Sequence, residues 1–420
     1  MKLSNLLSLL FLCSSCSYFI GKIDSPLVDD RDYLKNIPEK SSYCAETQKA
    51  DLQLVGTEGN AQTVYLSLVQ RSSERLDLLD HFALWSLLQL SARPDQSSPT
   101  SRFQILLNFR GKTHYFDFLS EQTDLQYPYL YGLEWVLKKF NKNRSLENYG
   151  ALLQRSLGSG LKIGKDFETF LVKNQNFIKE NEQLSPYFFR GNEVLKENET
   201  TPKLDYLAVI KQYRQNEKLQ RIVVNSTLAP FITEQANQGS CNYDFNLYSN
   251  SIFLIDKIIP IANLFGLSVK EGAFMASSSQ KLEKAESLHG QPLFKGESKV
   301  RSTAVCVIEK DDNKIWTFSN QSRDPGQHLF HLVRYGLPQS QSIYEVDRLL
   351  RHSRHIFLSD PVRLVIESQR SRQDQIENLL KLNLPIYNSP KLGNVWAYAL
   401  FQNNSRFIID DRNPGAFVCQ

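Results

Sequence analysis

Hydrophobic and polar positions change their rhythm several times along the chain. Leu6 to Leu12 (LLSLLFL) is a short, nearly solid apolar run, and residues 17 to about 60 are polar and irregular, broken by Pro26, Pro38 and Gly56-Thr57-Glu58-Gly59. From Glu74 to Ala83, the apolar residues Leu76, Leu79 and Ala83 fall at helical spacing, and an apolar run from Ser86 to Leu90 follows directly. Phe103 to Leu107, the turn Arg110-Gly111-Lys112 and the aromatic stretch His114 to Phe118 predict two strands joined by a tight turn.

Two later stretches resemble each other. The first predicts a strand at Arg221 to Asn225, a helix at Ser251 to Leu264, a strand at Leu267 to Lys270, and a hairpin of Thr303 to Ile308 and Lys314 to Ser319. The second predicts a strand at Val362 to Ile366, a helix at Gln373 to Leu382, a strand at Leu384 to Tyr387, and a hairpin of Val395 to Phe401 and Arg406 to Ile409. Each hairpin is followed by a related pentapeptide, Ser322-Arg323-Asp324-Pro325-Gly326 and Asp411-Arg412-Asn413-Pro414-Gly415. Strand, helix, strand and hairpin, used twice, is the grammar of an α/β chain with mixed sheets flanked by helices.

Composition narrows the classes. A chain of 420 residues can bury two cores, and 41% hydrophobic with 11% aromatic residues excludes a disordered chain. Net charge is only +4 with both signs interspersed, so nucleic acid is not an expected partner.

The start of the chain carries the address. Lys2 gives a small positive region, the apolar run is far shorter than the roughly 20 residues that span a bilayer, and Ser14-Ser15 precede Cys16. Leu12-Cys13-Ser14-Ser15-Cys16 resembles a lipobox, with Cys13 where leucine is usual, which implies acylation of Cys16. An ordinary cleaved secretory signal is the alternative, and both put the protein outside the cytoplasm, the lipid-anchored form in a bacterial envelope and at its outer membrane. Removal of Cys13 and acylation of Cys16 leave Cys44, Cys241, Cys306 and Cys419, which permit two disulfides in three connectivities or four buried thiols. Their spacing is not that of a zinc site.

Strand, helix, strand and a long hairpin resemble the phospholipase D superfamily, above all its cardiolipin-synthase-like members. Glu74-Arg75-Leu76-Asp77-Leu78-Leu79 and Ala83-Leu84-Trp85-Ser86-Leu87-Leu88-Gln89-Leu90 look similar to that family's opening helix and strand, and Val223-Val224-Asn225-Ser226 to the strand end of its second lobe. The resemblance implies a two-lobed body after a signal peptide (1–15) and a tether (16–60), with lobes at 61–200 and 201–420. The family's HxKxxxxD and GSxN motifs are not retained. Family spacing laid back from Asn413 places Asp410-Asp411, Asn403, Tyr398 and Trp396 at the GS, Asp, Lys and His positions. Laid back from Asn320 it places Thr317-Phe318, Lys310, Val305 and Thr303 there. Ser287-Leu288-His289 resembles the histidine element, but residue 291 is Gln. The family reaction needs one histidine to attack phosphorus and another to protonate the leaving oxygen, and Thr303 and Trp396 can do neither. The resemblance therefore implies a catalytically inactive body without cofactor, binding or scaffolding at the membrane. Its cleft would be lined by Thr303, Asn320, Trp396, Tyr398 and Asn413, and its partner would be a phospholipid headgroup or an envelope protein. An active phosphodiesterase or lipid transferase that uses other histidines, and an unrelated surface adhesin, are the alternatives.

Four of the seven histidines form two i, i+3 pairs, His328/His331 and His352/His355. Asp324, Pro325 and Gly336 predict a helix for the first pair, and Ser342 to Glu345 a capping box ahead of the second. Facing pairs would suit a divalent metal, but Arg334, Arg348, Arg351 and Arg354 repel cations and turn the expectation towards phosphate or carboxylate, or towards a solvated helical face with no bound metal. Arg351-His352-Ser353-Arg354 and Asn237-Gln238-Gly239-Ser240-Cys241 match fragments of phosphatase and papain-type motifs without their context, and P-loop, GxGxxG, GxSxG and HExxH patterns are absent.

Overall fold

In the computed structural model the described residues are 25–26, 51–56, 59–72, 75–118, 126–223, 240–242, 262–297, 303–310, 312–322, 324–359, 362–402, 404–412 and 415–420. Cys13, Cys16, Cys44, Asn413 and most of the expected tether lie outside them. The chain runs β1 (Ser25–Pro26), β2 (Leu52–Gly56), α1 (Ala61–Arg71), α2 (Leu78–Ala92), β3 (Arg102–Phe109), β4 (Lys112–Phe118), α3 (Pro128–Lys139) and α4 (Leu146–Ser156). Three short helices, α5 (Lys165–Lys173), α6 (Gln175–Lys179) and α7 (Ser185–Phe188), lead to β5 (Phe189–Arg190), β6 (Glu193–Val194) and the long α8 (Tyr206–Val223). Strands β7 (Ser240–Asn242), β8 (Asn263–Val269), β9 (Gly272–Ser279), β10 (Lys281–Leu288), β11 (Gln291–Glu297), β12 (Ala304–Lys310) and β13 (Asn313–Asn320) follow. The last part holds α9 (Pro325–Arg334), α10 (Ile343–Leu350), β14 (His355–Ser359), β15 (Val362–Ile366), α11 (Gln373–Leu380), β16 (Ile386–Asn388), β17 (Asn394–Phe401), β18 (Asn404–Ile408) and β19 (Ala416–Cys419).

Two antiparallel sheets carry the body: six strands in the order β19-β2-β8-β9-β3-β4 and five in the order β18-β17-β13-β12-β7. Their inner faces share one core, in which Val55, Leu106, Leu264 and Met275 from the first meet Val305, Trp316, Phe318, Trp396, Tyr398 and Phe407 from the second. The alternate residues of the same strands face outward. Phe103, Ile105 and Phe274 pack under α2, and Ile315, Val395 and Ala397 under α9 and α10. Period-two alternation thus makes both faces of each sheet apolar, and the layers stack helix, sheet, sheet, helix. The expected α/β architecture of sheets flanked by helices is what the chain forms, and β15, α11 and β16 build the expected parallel unit within a mixed four-stranded sheet, β1-β16-β15-β14.

Several expectations are corrected. Ser86 to Leu90 is the second half of α2, not a strand: all fifteen residues of this helix are buried, so it has no polar stripe to reveal its 3.6-residue period. A capping box in which Asp77 and Asp80 accept backbone N–H groups starts it. Arg221 to Val223 ends α8 rather than opening a strand, and Asn263-Leu264 begins β8 rather than ending a helix. The tether does not reach residue 60, because Leu52–Gly56 sits inside the six-stranded sheet between β19 and β8. Nor does a lobe boundary fall near residue 200, since that sheet pairs β3 with β9 across it. The two similar hairpins lie side by side, β13 pairing with β17 from Lys314↔Leu400 to Asn320↔Asn394. Cys241 and Cys306 are cross-strand neighbours joined by a disulfide, and Cys419 is disulfide-bonded as well.

Candidate functional site

Along most of their length the inner faces of the two sheets are apolar, but at one end they turn polar while staying buried. On β3 the inward series Leu106, Gln104, Arg102 leaves the core chemistry behind, and on β4 Tyr115 is followed by Asp117. Met275 gives way to Ser277 on β9, Val305 to Thr303 just ahead of β12, Phe318 to Asn320 on β13, and Trp396 to Asn394 on β17. Thr303 is 5% exposed and Asn320 fully buried, so these groups are held out of bulk water, where each needs a partner or a ligand.

Most of the partners are internal. Arg102 forms a bidentate pair with Asp117, its Nε donating at 2.8 Å. Gln104 Nε2 donates to Tyr115 Oη at 2.9 Å, and Tyr115 lies 3.4 Å from Asp117 Oδ2; burial, then the neighbouring carboxylate, push its phenol well up, so it stays a donor. Thr303 Oγ1 and Ser277 Oγ are 2.9 Å apart and link the two sheets. Asn320 donates to Ala262 O at 2.9 Å, which fixes its amide orientation, and among the described residues Asn320 Oδ1 and Asn394 Oδ1 have no hydrogen-bond partner. A hydroxyl pair, two open acceptors and a guanidinium–carboxylate pair at one buried end of a sandwich can hold a polar group and exclude water from it.

Of the residues expected to line a cleft, Thr303 and Asn320 are brought to this end. Trp396 and Tyr398 are not: they are 3% and 2% exposed inside the apolar core, where Tyr398 packs on Trp316 with ring centroids 4.8 Å apart. Arg102, Gln104, Tyr115, Asp117, Ser277 and Asn394 were not singled out from sequence, although polar residues at inward positions of alternating strands were the signal that could have found them.

The expected His and Arg cluster forms differently. Asp324 caps α9 through Gln327 N, and Ser342 caps α10 through Glu345 N, as expected. His352 lies in the turn after α10, however, and His355 opens β14, so the second pair has no helical face. His328 is buried with Nε2 2.7 Å from Ser322 Oγ, His331 stacks on His355 with centroids 4.0 Å apart, and His352 stacks on Tyr335. Burial, then His355, push His331 down to about 3, and burial lowers His355 too. Among the described residues no group of three metal-capable side chains occurs. The arginines are occupied: Arg351 pairs with Asp347 at 3.1 Å and Arg354 with Asp410 at 2.6 Å, so neither waits for an anion.

Arg354 belongs to a closed structural network. Arg412 donates to Glu367 from Nε (2.7 Å) and Nη2 (2.6 Å), to Asp410 (3.2 Å), and to the carbonyls of Leu350 and His352. Glu367 accepts from the backbone of Arg354 and Leu392, and Asp410 from Val395 and Arg412, so the network ties the small mixed sheet to the five-stranded one.

No family model and no curated protein sequence matches the chain. Among solved structures it is similar to the cephalosporin acylase from Bacillus halodurans, with a TM-score of 0.57 and 9% identity over 91% of this chain and 99% of that one. It is also similar to LmbA2991HD (TM-score 0.55, 7% identity, 91% and 100%) and to LmbA2991T421A (0.55, 8%, 89% and 99%). At such identities the likeness is one of fold.

Proposed function

We propose that this chain is an envelope lipoprotein, anchored through Cys16, whose sandwich acts on an amide-linked acyl group at the buried polar end of its two sheets. The observation that carries this reading is the Thr303–Ser277 hydroxyl pair, 2.9 Å apart, set among Asn320, Asn394 and the Arg102–Asp117 pair in a fold shared with an acylase. In such a reaction Thr303 Oγ1 bonds to the amide carbon, the carbon–nitrogen bond breaks, and the hydroxyl proton leaves with the amine through Ser277 as relay. Water then releases the acid from the ester.

A second reading rests on one feature of the same pair. Among the described residues the hydrogen-bond partner of Thr303 Oγ1 is another hydroxyl, and a hydroxyl is no general base. With no stronger base the site binds a polar ligand and does not turn it over, which agrees with the inactive, phospholipid- or partner-binding body that the phospholipase D-like pattern implies. Both readings predict no phosphodiester cleavage.

Amine release from a cephalosporin with an amide-linked acyl side chain, and from simple N-acyl amino acids, separates the two. Turnover that falls at least about a thousandfold in Thr303→Ala supports the acylase reading. Turnover indifferent to that change refutes the site, and absent turnover across these amides leaves the binding role.

A further inference from the structure

The surface where α9, α10 and the start of α11 meet carries charges that neither reading uses. His352 lies one helical turn beyond Arg348, and its amide donates to Leu349 O at 3.1 Å, so the two side chains are neighbours on one face. Tyr335, at the close of α9, stacks on the His352 ring with centroids 4.9 Å apart. Ser353 Oγ and Ser371 Oγ are 2.5 Å apart, which brings Arg372, the residue before α11, to the same place.

Among the described residues, the charged side chains that act on this imidazole are all guanidiniums. Burial, then Arg348, Arg412 and Arg372, hold His352 below its usual range. Arg412 is committed to the buried Glu367 and Asp410. Arg372 is held by Asp374 at 2.9 Å, in a pair 77% and 59% exposed that water screens and a ligand can displace. Arg348 is exposed and has no ion-pair partner among the described residues. The carboxylate beside it in sequence, Asp347, pairs with Arg351 at 3.1 Å. His352 is half-buried, with Nδ1 enclosed and without a hydrogen-bond partner among the described residues, so Nε2 is the nitrogen that a ligand meets.

We propose that Arg348, His352 and Arg372 form a binding site for a phosphate monoester, on the outer helical layer and apart from the buried polar end. Donors converge from the end of α10, the turn after it and the entry to α11, which suits the tetrahedral oxygens of a phosphate, whereas one guanidinium fork already serves a planar carboxylate. A dianion also favours the protonated imidazole that the three guanidiniums oppose, so ester and proton bind together. Tyr335, 40% exposed, offers its ring to the organic part of the ester. The site reads the phosphate, whether a soluble ester or a lipid headgroup carries it, and it depends on neither Cys16 nor Thr303.

The full-length Cys16→Ala protein, which has no acyl anchor of its own, tests this in two arms. One is calorimetric titration with glycerol 3-phosphate, and the other is flotation with phosphatidylcholine vesicles that contain or lack phosphatidic acid. Arg348→Gln and His352→Gln should each weaken binding at least about tenfold, since each removes a donor to a charged group, while the exposed Arg348 can be changed without moving the melting temperature. Thr303→Ala should bind as before. Followed by proton NMR, the His352 ring should titrate at least about half a unit higher with the ester present. Binding of glycerol 3-phosphate supports the site with a soluble source, and binding confined to phosphatidic acid vesicles supports it with a lipid source. No binding in either arm, or binding indifferent to Arg348→Gln and His352→Gln, overturns it.

Discussion

Replacing Arg412 with Met should be among the most damaging single changes in this chain. Its guanidinium and that of Arg354 serve Asp410 and Glu367 at the junction of two sheets, and Arg412 and Glu367 side chains are both fully buried. The Asp410 carboxyl is held well below its usual range, burial opposing and the two guanidiniums with two backbone N–H groups outweighing that opposition. Methionine fills comparable volume but deletes every one of the donations to Glu367, Asp410, Leu350 and His352. Breaking a buried pair from one side costs about 3–5 kcal/mol, since the remaining carboxylate keeps its desolvation penalty without its partner. For a chain of 420 residues that is a fall of roughly 3–6 °C in melting temperature. Urea unfolding with matched slopes measures it, and Arg412→Met/Glu367→Gln should recover part of the loss because no unpaired charge is left behind. A loss below about 1 kcal/mol for the single variant, or no recovery in the double, would show that solvent reaches the network and refute the reasoning.

Acid should destabilise the protein earlier than carboxylates alone would allow. With His331 at about 3 in the folded state and near 6.5 unfolded, stability is complete above about pH 6.5 and falls as pH drops towards 3; His331→Phe should flatten that part of a stability–pH curve. Losing the Cys241–Cys306 disulfide, which closes a 65-residue separation, should cost about 2–4 kcal/mol, read without reductant as a lower urea midpoint for Cys241→Ala/Cys306→Ala than for the wild type, the Cys419 disulfide being kept in both. Gly393→Ala should cost about 1–3 kcal/mol by differential scanning calorimetry, because Gly393 has φ 65° and a methyl there would lie 2.7 Å from the His328 ring.

Short-range signals were legible from the chain itself. Hairpins at 304–320 and 394–408, the unit β15-α11-β16, and the caps at Asp324 and Ser342 all follow from local alternation and local hydrogen bonding. What failed needed long-range knowledge. Alpha-helix α2 is apolar on every side because sheet and helices surround it, and a helix without a polar face reads as a strand once its period is hidden. Leu52–Gly56 stands in a polar neighbourhood, and only its pairing with β8 and β19 shows it to be interior. The candidate site suffered most. Thr303 and Asn320 were singled out through a motif spacing, whereas Ser277, Arg102 and Asp117 reach the same end from three other strands, and no linear spacing expresses that meeting.

The position of β2 has a consequence for how the protein is made. Leu52–Gly56 is hydrogen-bonded on one side to residues 266–269 and on the other to Ala416–Cys419, and Leu52 and Gln420 exchange backbone hydrogen bonds. The six-stranded sheet therefore cannot be completed until Ala416–Cys419 reaches Leu52–Gly56 from the far side of the sequence, a long-range pairing that raises contact order and slows folding. It also makes the C-terminus a structural seam, so a truncation of even four residues should unravel the edge that β19 closes.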